Sequence, residues 1–176
     1  MNLPNKLTVF RVFCVPFFVL FMMWNTIPYH NYIAVAIFIV ASITDLLDGK
    51  IARKRGLVTN FGKFMDPLAD KLLVCSALIC MAGTMIPKWI VIVIISRELF
   101  ISGFRTLAAD QNVVLAASMW GKVKTTIQMI MIIVLIIHIP LCLFDVIGII
   151  LIYASLALTV ISMIDYVIKN IQVLKK

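Results

Sequence analysis

Four aspartates lie within an otherwise apolar part of this chain, and their types and spacing suit them for chemistry. They make up half of the chain's eight acidic residues and stand at Asp45, Asp48, Asp66 and Asp70. Carboxylates at or near hydrocarbon depth are costly, and they usually mark an ion site, a proton path or a reaction centre. Residues three or four apart share one face of a helix, so each pair of aspartates would project together. Two such helices facing each other would bring all four carboxylates to one point.

The convergence of four carboxylates predicts a divalent-metal site. Like charges held so close repel each other unless a cation neutralises them, and carboxylate oxygens are the hard ligands that Mg²⁺, Mn²⁺ and Ca²⁺ prefer. The alternative for each acid is a structural ion pair, such as Asp70 with Lys71 or Asp48 with Arg53. The regular spacing of four acids makes separate ion pairs the poorer explanation.

Small and basic residues between the aspartates indicate what a metal would serve. Gly49, Ala52 and Gly62 remove side-chain bulk beside the acids, which permits close helix packing or the close approach of a flat ligand. Arg53 supplies a fixed cation that can bind a phosphate through two hydrogen bonds. Together these features indicate phosphoryl transfer on a membrane-soluble substrate.

The composition requires a membrane protein to carry this site. Hydrophobic residues make up 63% of the 176 residues, and the mean hydropathy is +1.10, whereas soluble domains are nearer half apolar. We therefore expect an all-α membrane protein, with six transmembrane helices in one bundle and a single domain over residues 1–176. Breaks rich in polar residues, glycine and proline separate the expected helices, which run approximately over residues 7–24, 32–53, 62–82, 87–109, 117–137 and 143–169.

The basic residues predict how these helices are oriented in the membrane. Fifteen of the 16 basic residues fall on the side that holds both termini, and Lys88 alone falls on the opposite side. The positive-inside rule then places both termini in the cytoplasm, with the aspartates toward the same face. We expect a bacterial plasma membrane, an active site facing the cytoplasm, and anionic phosphate partners rather than nucleic acid.

The acid block resembles the pattern that marks the CDP-alcohol phosphotransferases, and it matches that pattern at all eight fixed positions. In this chain the pattern reads Asp45-x2-Asp48-Gly49-x2-Ala52-Arg53-x8-Gly62-x3-Asp66-x3-Asp70. The resemblance implies a membrane enzyme of six helices, often a homodimer. Such an enzyme transfers the phosphatidyl group of a CDP-linked lipid, here CDP-diacylglycerol, to an alcohol and releases CMP.

The resemblance also implies roles for individual residues. It implies Mg²⁺ or Mn²⁺, as one ion or two, at the CDP diphosphate, with Asp70 as the general base for the incoming hydroxyl. The implied metal ligands are Asp45, Asp48, Asp66 and Asp70. The implied CDP-binding residues are Asn5, Thr8, Asp45, Asp48, Gly49, Ala52, Arg53, Gly62 and Asp66. Asn5 and Thr8 could instead cap the first helix, but Thr8 shares a face with Arg11, which favours a place over the nucleotide and phosphate.

Three further segments resemble family members whose acceptor is sn-glycerol 3-phosphate: residues 2–11, residues 96–98 with Arg105, and residues 121–125. A phosphorylated acceptor needs cations, and the implied ligands of its phosphate are Arg11, Arg97, Arg105, Lys122 and Lys124. Glu98 is expected to orient Arg105. Lys122 and Lys124 would point to nearly opposite faces of a helix, so both can contact one phosphate only if the helix begins after them. Of the two, Lys122 is favoured because Gly121 opens space beside it.

Other acceptors and other classes of protein stay open at this point. Inositol phosphate would satisfy the same cations, whereas serine carries no phosphate for them, and a second phosphatidylglycerol is a further acceptor within the family. A divalent-cation transporter would also use four acids, although such sites usually lie near the midplane and Arg53 would repel the ion. Arg97 and Glu98 could instead form an ion pair at a helix end. A non-enzymatic membrane scaffold is a further alternative, but it would have no need for so many charges near an apolar core.

Overall fold

Helices carry all four aspartates and most of the basic residues. In the computed structural model the described residues are 3–24, 26–55, 60–110 and 118–170, and they form six helices. The description is limited to the backbone at residues 3–4, 46–55, 60–64, 66–67, 106–107 and 109–110. The helices are α1 Leu3–Met23, α2 His30–Arg55, α3 Asn60–Met81, α4 Lys88–Asp110, α5 Met119–Ile137 and α6 Cys142–Asn170.

The observed helices confirm the all-α prediction. The largest difference in their bounds is at α1, which begins at Leu3 instead of near Leu7. Pro4 falls in the first turn of α1, where a proline is tolerated because its missing N–H would have had no helical acceptor. That all six helices cross the membrane, that both termini are cytoplasmic, and that residues 1–176 form a single domain stay predictions.

Left-handed residues mark three of the breaks between helices, the first of them at Tyr29, which precedes α2 with φ 64. Gly83 follows α3 with φ +83, a conformation that favours glycine, and its N–H donates to the carbonyl of Ile86 at 2.7 Å. His138 follows α5 with φ 38, and its N–H donates to the carbonyl of Val134 at 3.3 Å. Pro140 comes two residues later and cannot continue a helix.

The chain divides into two compact units, residues 1–81 and residues 82–176. In the first unit, α1 packs against both α2 and α3, and α2 also contacts α3. Phe18 of α1 and Phe38 of α2 are fully buried, with ring centroids 5.8 Å apart. Ala34 and Ala41 of α2 are also fully buried, and their small side chains let the helices approach closely.

In the second unit, α6 packs against both α4 and α5. Two contacts show that α5 and α6 are antiparallel. Ser118 donates to Asp165 at 2.6 Å near one end of the pair, and the face of Gly148 lies against Leu135 near the other. Polar side chains line the buried face of α6, and this polar stripe consists of Ser155, Thr159, Ser162 and Tyr166.

Large apolar side chains are exposed on helices of both units, among them Phe13, Ile79 and Ile150. Such a surface is unfavourable in water and ordinary against lipid tails. Within the described residues, the helices long and apolar enough to cross a membrane are Asn5–Met23, Met119–Ile137 and Cys142–Asn170, and His30–Asp45 is a shorter apolar helix. The fold is that of an all-α membrane protein.

Candidate active site

The first helix turns a polar face into the first unit. Asn5, Thr8 and Arg11 are spaced three apart, and their exposed fractions are 7%, 0% and 0%, so all three lie on the buried face of α1. Arg11 Nη1 lies 2.6 Å from Asp45 Oδ1. Arg11, which was predicted to bind phosphate, therefore contacts the first aspartate of the motif.

The motif occupies two helices, as its spacing predicted. Asp45 and Asp48 belong to α2, and Asp66 and Asp70 belong to α3. The side chains of Asp45 and Asp70 are half-buried, and the Asp45 carboxylate is 30% exposed. The predicted residues whose side chains lie outside the described part are Asp48, Gly49, Ala52, Arg53, Gly62 and Asp66.

The chemistry of the donor set suits a divalent cation. Each aspartate of the motif offers carboxylate oxygens, which are the preferred ligands of Mg²⁺ and Mn²⁺. Among the side chains that the structure describes, no three His, Cys, Asp or Glu residues lie together. Two of the four predicted ligands fall outside that set, so the metal site stays a prediction.

The second unit holds a buried cluster of charges at the middle of α4 and near the start of α5. Glu98 Oε1 lies 3.2 Å from Nη1 of Arg97 and also accepts a hydrogen bond from Nζ of Lys124. The side chains of Arg97, Glu98 and Lys124 are only 9%, 12% and 1% exposed. We call these three residues the cation cluster, because two positive groups share one carboxylate and leave a net charge of +1.

The structure separates the two predicted lysines. Lys124 lies on the buried face of α5 and joins the cation cluster, whereas Lys122 is exposed. The open face of Gly121 lies near Arg97, because a Cβ there would be 3.7 Å from Arg97 Nη2. The space at Gly121 is therefore next to Arg97. Of the two lysines, Lys124 is the one that lies in the same cluster as Arg97.

Glu98 was predicted to orient Arg105, but in the structure each of the two residues has other partners. Arg105 is exposed and lies over the ring of Tyr166, with Cζ 5.8 Å from the ring centroid. This is a cation–π distance. Glu98 is bonded to Arg97 and Lys124, so it orients these two cations.

The polar stripe of α6 supplies a contact that was not predicted. Arg97 Nη2 donates to Ser162 Oγ at 3.0 Å, and Ser162 Oγ donates to the carbonyl of Thr159 at 3.0 Å. Buried hydroxyls in a membrane helix usually bond across the helix interface or to the preceding turn. The signal in the sequence was the spacing of the stripe, which repeats every three or four residues within an apolar helix.

These features belong to a known class of membrane enzyme. The family model described as CDP-alcohol phosphatidyltransferase matches residues 1–161. The chain belongs to this family.

Relatives within the family are similar over nearly the whole chain. A protein of Bacillus subtilis named CDP-diacylglycerol–glycerol-3-phosphate 3-phosphatidyltransferase is 43% identical, and the match covers 99% of this chain and 97% of that protein. A protein of the same name from Haemophilus influenzae is 40% identical over 94% of this chain and 91% of its own length. A probable phosphatidylglycerophosphate synthase of Mycobacterium tuberculosis strain H37Rv is 39% identical over 97% of this chain and 82% of its own.

Proposed function

We propose that this protein transfers the phosphatidyl group of CDP-diacylglycerol to sn-glycerol 3-phosphate. The products are phosphatidylglycerophosphate and CMP. The observation that carries this proposal is the 43% identity, over 99% of the chain, to a relative named for that reaction. The motif of eight fixed residues from Asp45 to Asp70 is complete in this sequence and supports the CDP-linked donor.

The first unit carries the residues that we propose for the CDP-linked donor. Asp45, Asp48 and Asp66 would hold Mg²⁺ or Mn²⁺, with Asp70 as a further ligand. Such a metal, when bound, supplies positive charge that stabilises the departing CMP and polarises the attacked phosphorus. Arg11 supports this role from the protein side, since its contact with Asp45 fixes the orientation of that carboxylate.

Asp70 is the proposed general base. The acceptor hydroxyl oxygen forms a bond to the phosphorus that carries diacylglycerol, and the bond from that phosphorus to the oxygen of CMP breaks. The hydroxyl proton passes to the Asp70 carboxylate, which is half-buried and keeps access to solvent. The proton can then return to water.

The second unit carries the proposed site for the phosphate of the acceptor. Arg97 offers a planar guanidinium that can bind two phosphate oxygens, and Lys124 adds a point charge beside it. Burial strengthens their attraction for an anion, because little water screens the charges. Inositol phosphate would bind the same cations. The cation cluster therefore predicts that the acceptor carries a phosphate, and the remainder of the acceptor is identified by measurement.

We further propose that the site faces the cytoplasm of a bacterial cell and that the chain forms a homodimer in the membrane. The distribution of basic residues supports the orientation, with 15 of 16 predicted on the cytoplasmic side. The cytoplasm is also the compartment that contains phosphorylated acceptors and CMP.

Mass spectrometry of the lipid product tests the proposed acceptor. Purified protein in detergent would receive CDP-diacylglycerol and Mg²⁺ with glycerol 3-phosphate, inositol phosphate, serine or buffer alone. We expect phosphatidylglycerophosphate with the first acceptor, and no lipid product with serine or buffer. A phosphatidylinositol phosphate as the main product would keep the class of enzyme and overturn the acceptor.

A further inference from the structure

Glu98 is the acidic member of a cluster that is proposed to bind an anion, and its place there requires an explanation. We propose that Glu98 is a positioning residue, which holds Arg97 and Lys124 in the geometry that binds the acceptor phosphate without itself contacting the acceptor. The inference rests on the proposed function, because it takes the cation cluster as the acceptor-phosphate site. Its basis is that one carboxylate oxygen accepts from both cations.

Burial explains why the two cations need a carboxylate. The side chains of Lys124 and Arg97 are 1% and 9% exposed, so water cannot compensate the repulsion between them or the loss of their hydration. A carboxylate shared by both cations reduces their repulsion and replaces part of their lost hydration. With Glu98 present, the cluster keeps one net positive charge for an incoming phosphate.

Arg97 is hydrogen-bonded to residues of α4 and α6, and one of its N–H groups has no partner among the described residues. Glu98 bonds Nη1, and Ser162 of α6 accepts from Nη2 at 3.0 Å. The Nε of Arg97 is buried and has no hydrogen-bond partner among the described atoms. A buried N–H without a partner is costly, and a phosphate oxygen is an acceptor that would satisfy it.

The competing explanation is that Glu98 only repels the acceptor. Under that explanation, removing its charge would strengthen phosphate binding. The burial of both cations favours positioning, because a buried cation that loses a carboxylate neighbour moves or loses its charge. The two explanations therefore predict opposite changes in the KM for glycerol 3-phosphate.

The test compares Glu98→Gln with Lys124→Met in the full-length protein. We expect each variant to raise the KM for glycerol 3-phosphate by roughly tenfold or more, which is the size of a lost charge-assisted hydrogen bond. The KM for CDP-diacylglycerol and kcat should stay within about twofold, as expected when only acceptor binding weakens. Asp145→Asn is the matched control: Asp145 is exposed in the first turn of α6, and its loss should leave both KM values unchanged.

The double variant separates positioning from direct contact. If Glu98 acts through the cations, Glu98→Gln with Lys124→Met raises the KM less than the product of the single effects. Effects that multiply in full would overturn the inference, as would a lower KM in Glu98→Gln.

A charge-swapped variant separates positioning from a structural ion pair. The double variant Glu98→Lys with Lys124→Glu restores opposite charges at these two positions. We expect its melting temperature to return to the wild-type value while its KM for glycerol 3-phosphate stays raised. A wild-type KM in this variant would overturn the inference, because the positions of the charges would not matter.

Failure of the inference is distinguishable from failure of the proposed acceptor site. If Lys124→Met raises the KM and Glu98→Gln does not, the acceptor site stands and the positioning role falls. If neither variant changes the KM, both fall.

Discussion

Arg11 is fully buried beside the first aspartate of the motif, where a lone positive charge would be strongly unfavourable. Its guanidinium lies 2.6 Å from the carboxylate of Asp45, which is 30% exposed. A charged residue at such depth is retained at a cost in stability when it serves a function. The contact places this arginine beside the proposed donor site, in addition to its predicted role toward the acceptor.

Replacing Arg11 should impair both activity and stability. Arg11→Gln leaves Asp45 without its arginine, and we expect CMP release to fall at least tenfold and the free energy of unfolding to drop by about 1–3 kcal/mol. Lys6→Gln is the matched control, because Lys6 is on the same helix and exposed. Equal activities of the two variants would contradict the role given to Arg11.

At the level of single residues, the sequence predicted which types of residue gather but not every partner. The 100° rotation per residue predicted that Lys122 and Lys124 point to nearly opposite faces once both lie within a helix. Which of them points inward depends on how α5 packs against α6, and this packing is not encoded in the spacing of two lysines. Glu98 could reach along α4 or across to α5, and the structure shows the contact with Lys124 across the helices.

At the level of elements, α6 organises the second unit. It packs against α4 and α5, contributes Ser162 to the cation cluster, and meets α5 closely at Gly148. A Cβ at Gly148 would lie 3.1 Å from Leu135 Cδ2, which is tighter than ordinary contact. The close approach of α5 and α6 therefore favours a small residue at this point.

Gly148→Val should loosen the α5–α6 pair. The added methyl groups collide with Leu135, and we expect a loss of about 1–3 kcal/mol in stability. Gly103→Val is the matched control, since a Cβ at Gly103 meets no described atom within 4 Å. Thermal unfolding in detergent compares the two variants, and a Gly148→Val protein as stable as Gly103→Val would contradict the packing.

The bounds of the elements were the most predictable part of the fold. Proline, glycine and polar residues interrupt the apolar sequence at every break, and five of the six helices begin within two residues of their predicted starts. The contacts between helices were not predictable, because apolar faces in a membrane protein point to lipid as well as to other helices. The pairing of α6 with two helices is therefore information that comes from the structure.

At the level of the whole molecule, charge asymmetry is the strongest feature. The chain has a formal net charge of +8, and its basic residues are predicted to lie almost entirely on one side. An excess of lysine and arginine near the cytoplasmic ends of helices fixes the orientation during insertion. It also attracts anionic substrates to that face.

Cysteine labelling should show this orientation directly. In a variant whose four cysteines are replaced by serine, Lys88→Cys and Lys175→Cys would be treated in intact cells with a membrane-impermeant maleimide. We expect labelling at position 88 in intact cells and at position 175 only after lysis. The reverse pattern would contradict a cytoplasmic site.

The most direct test of the central claim is CMP release from CDP-diacylglycerol by purified protein on addition of glycerol 3-phosphate and Mg²⁺. Wild type, Asp70→Asn and the control Asp145→Asn would be compared, with and without a chelator. We expect release by wild type and by Asp145→Asn that stops with the chelator, and a loss of at least about a hundredfold in Asp70→Asn, as expected for a general base. Release that persists in Asp70→Asn, or that does not depend on glycerol 3-phosphate, would contradict it.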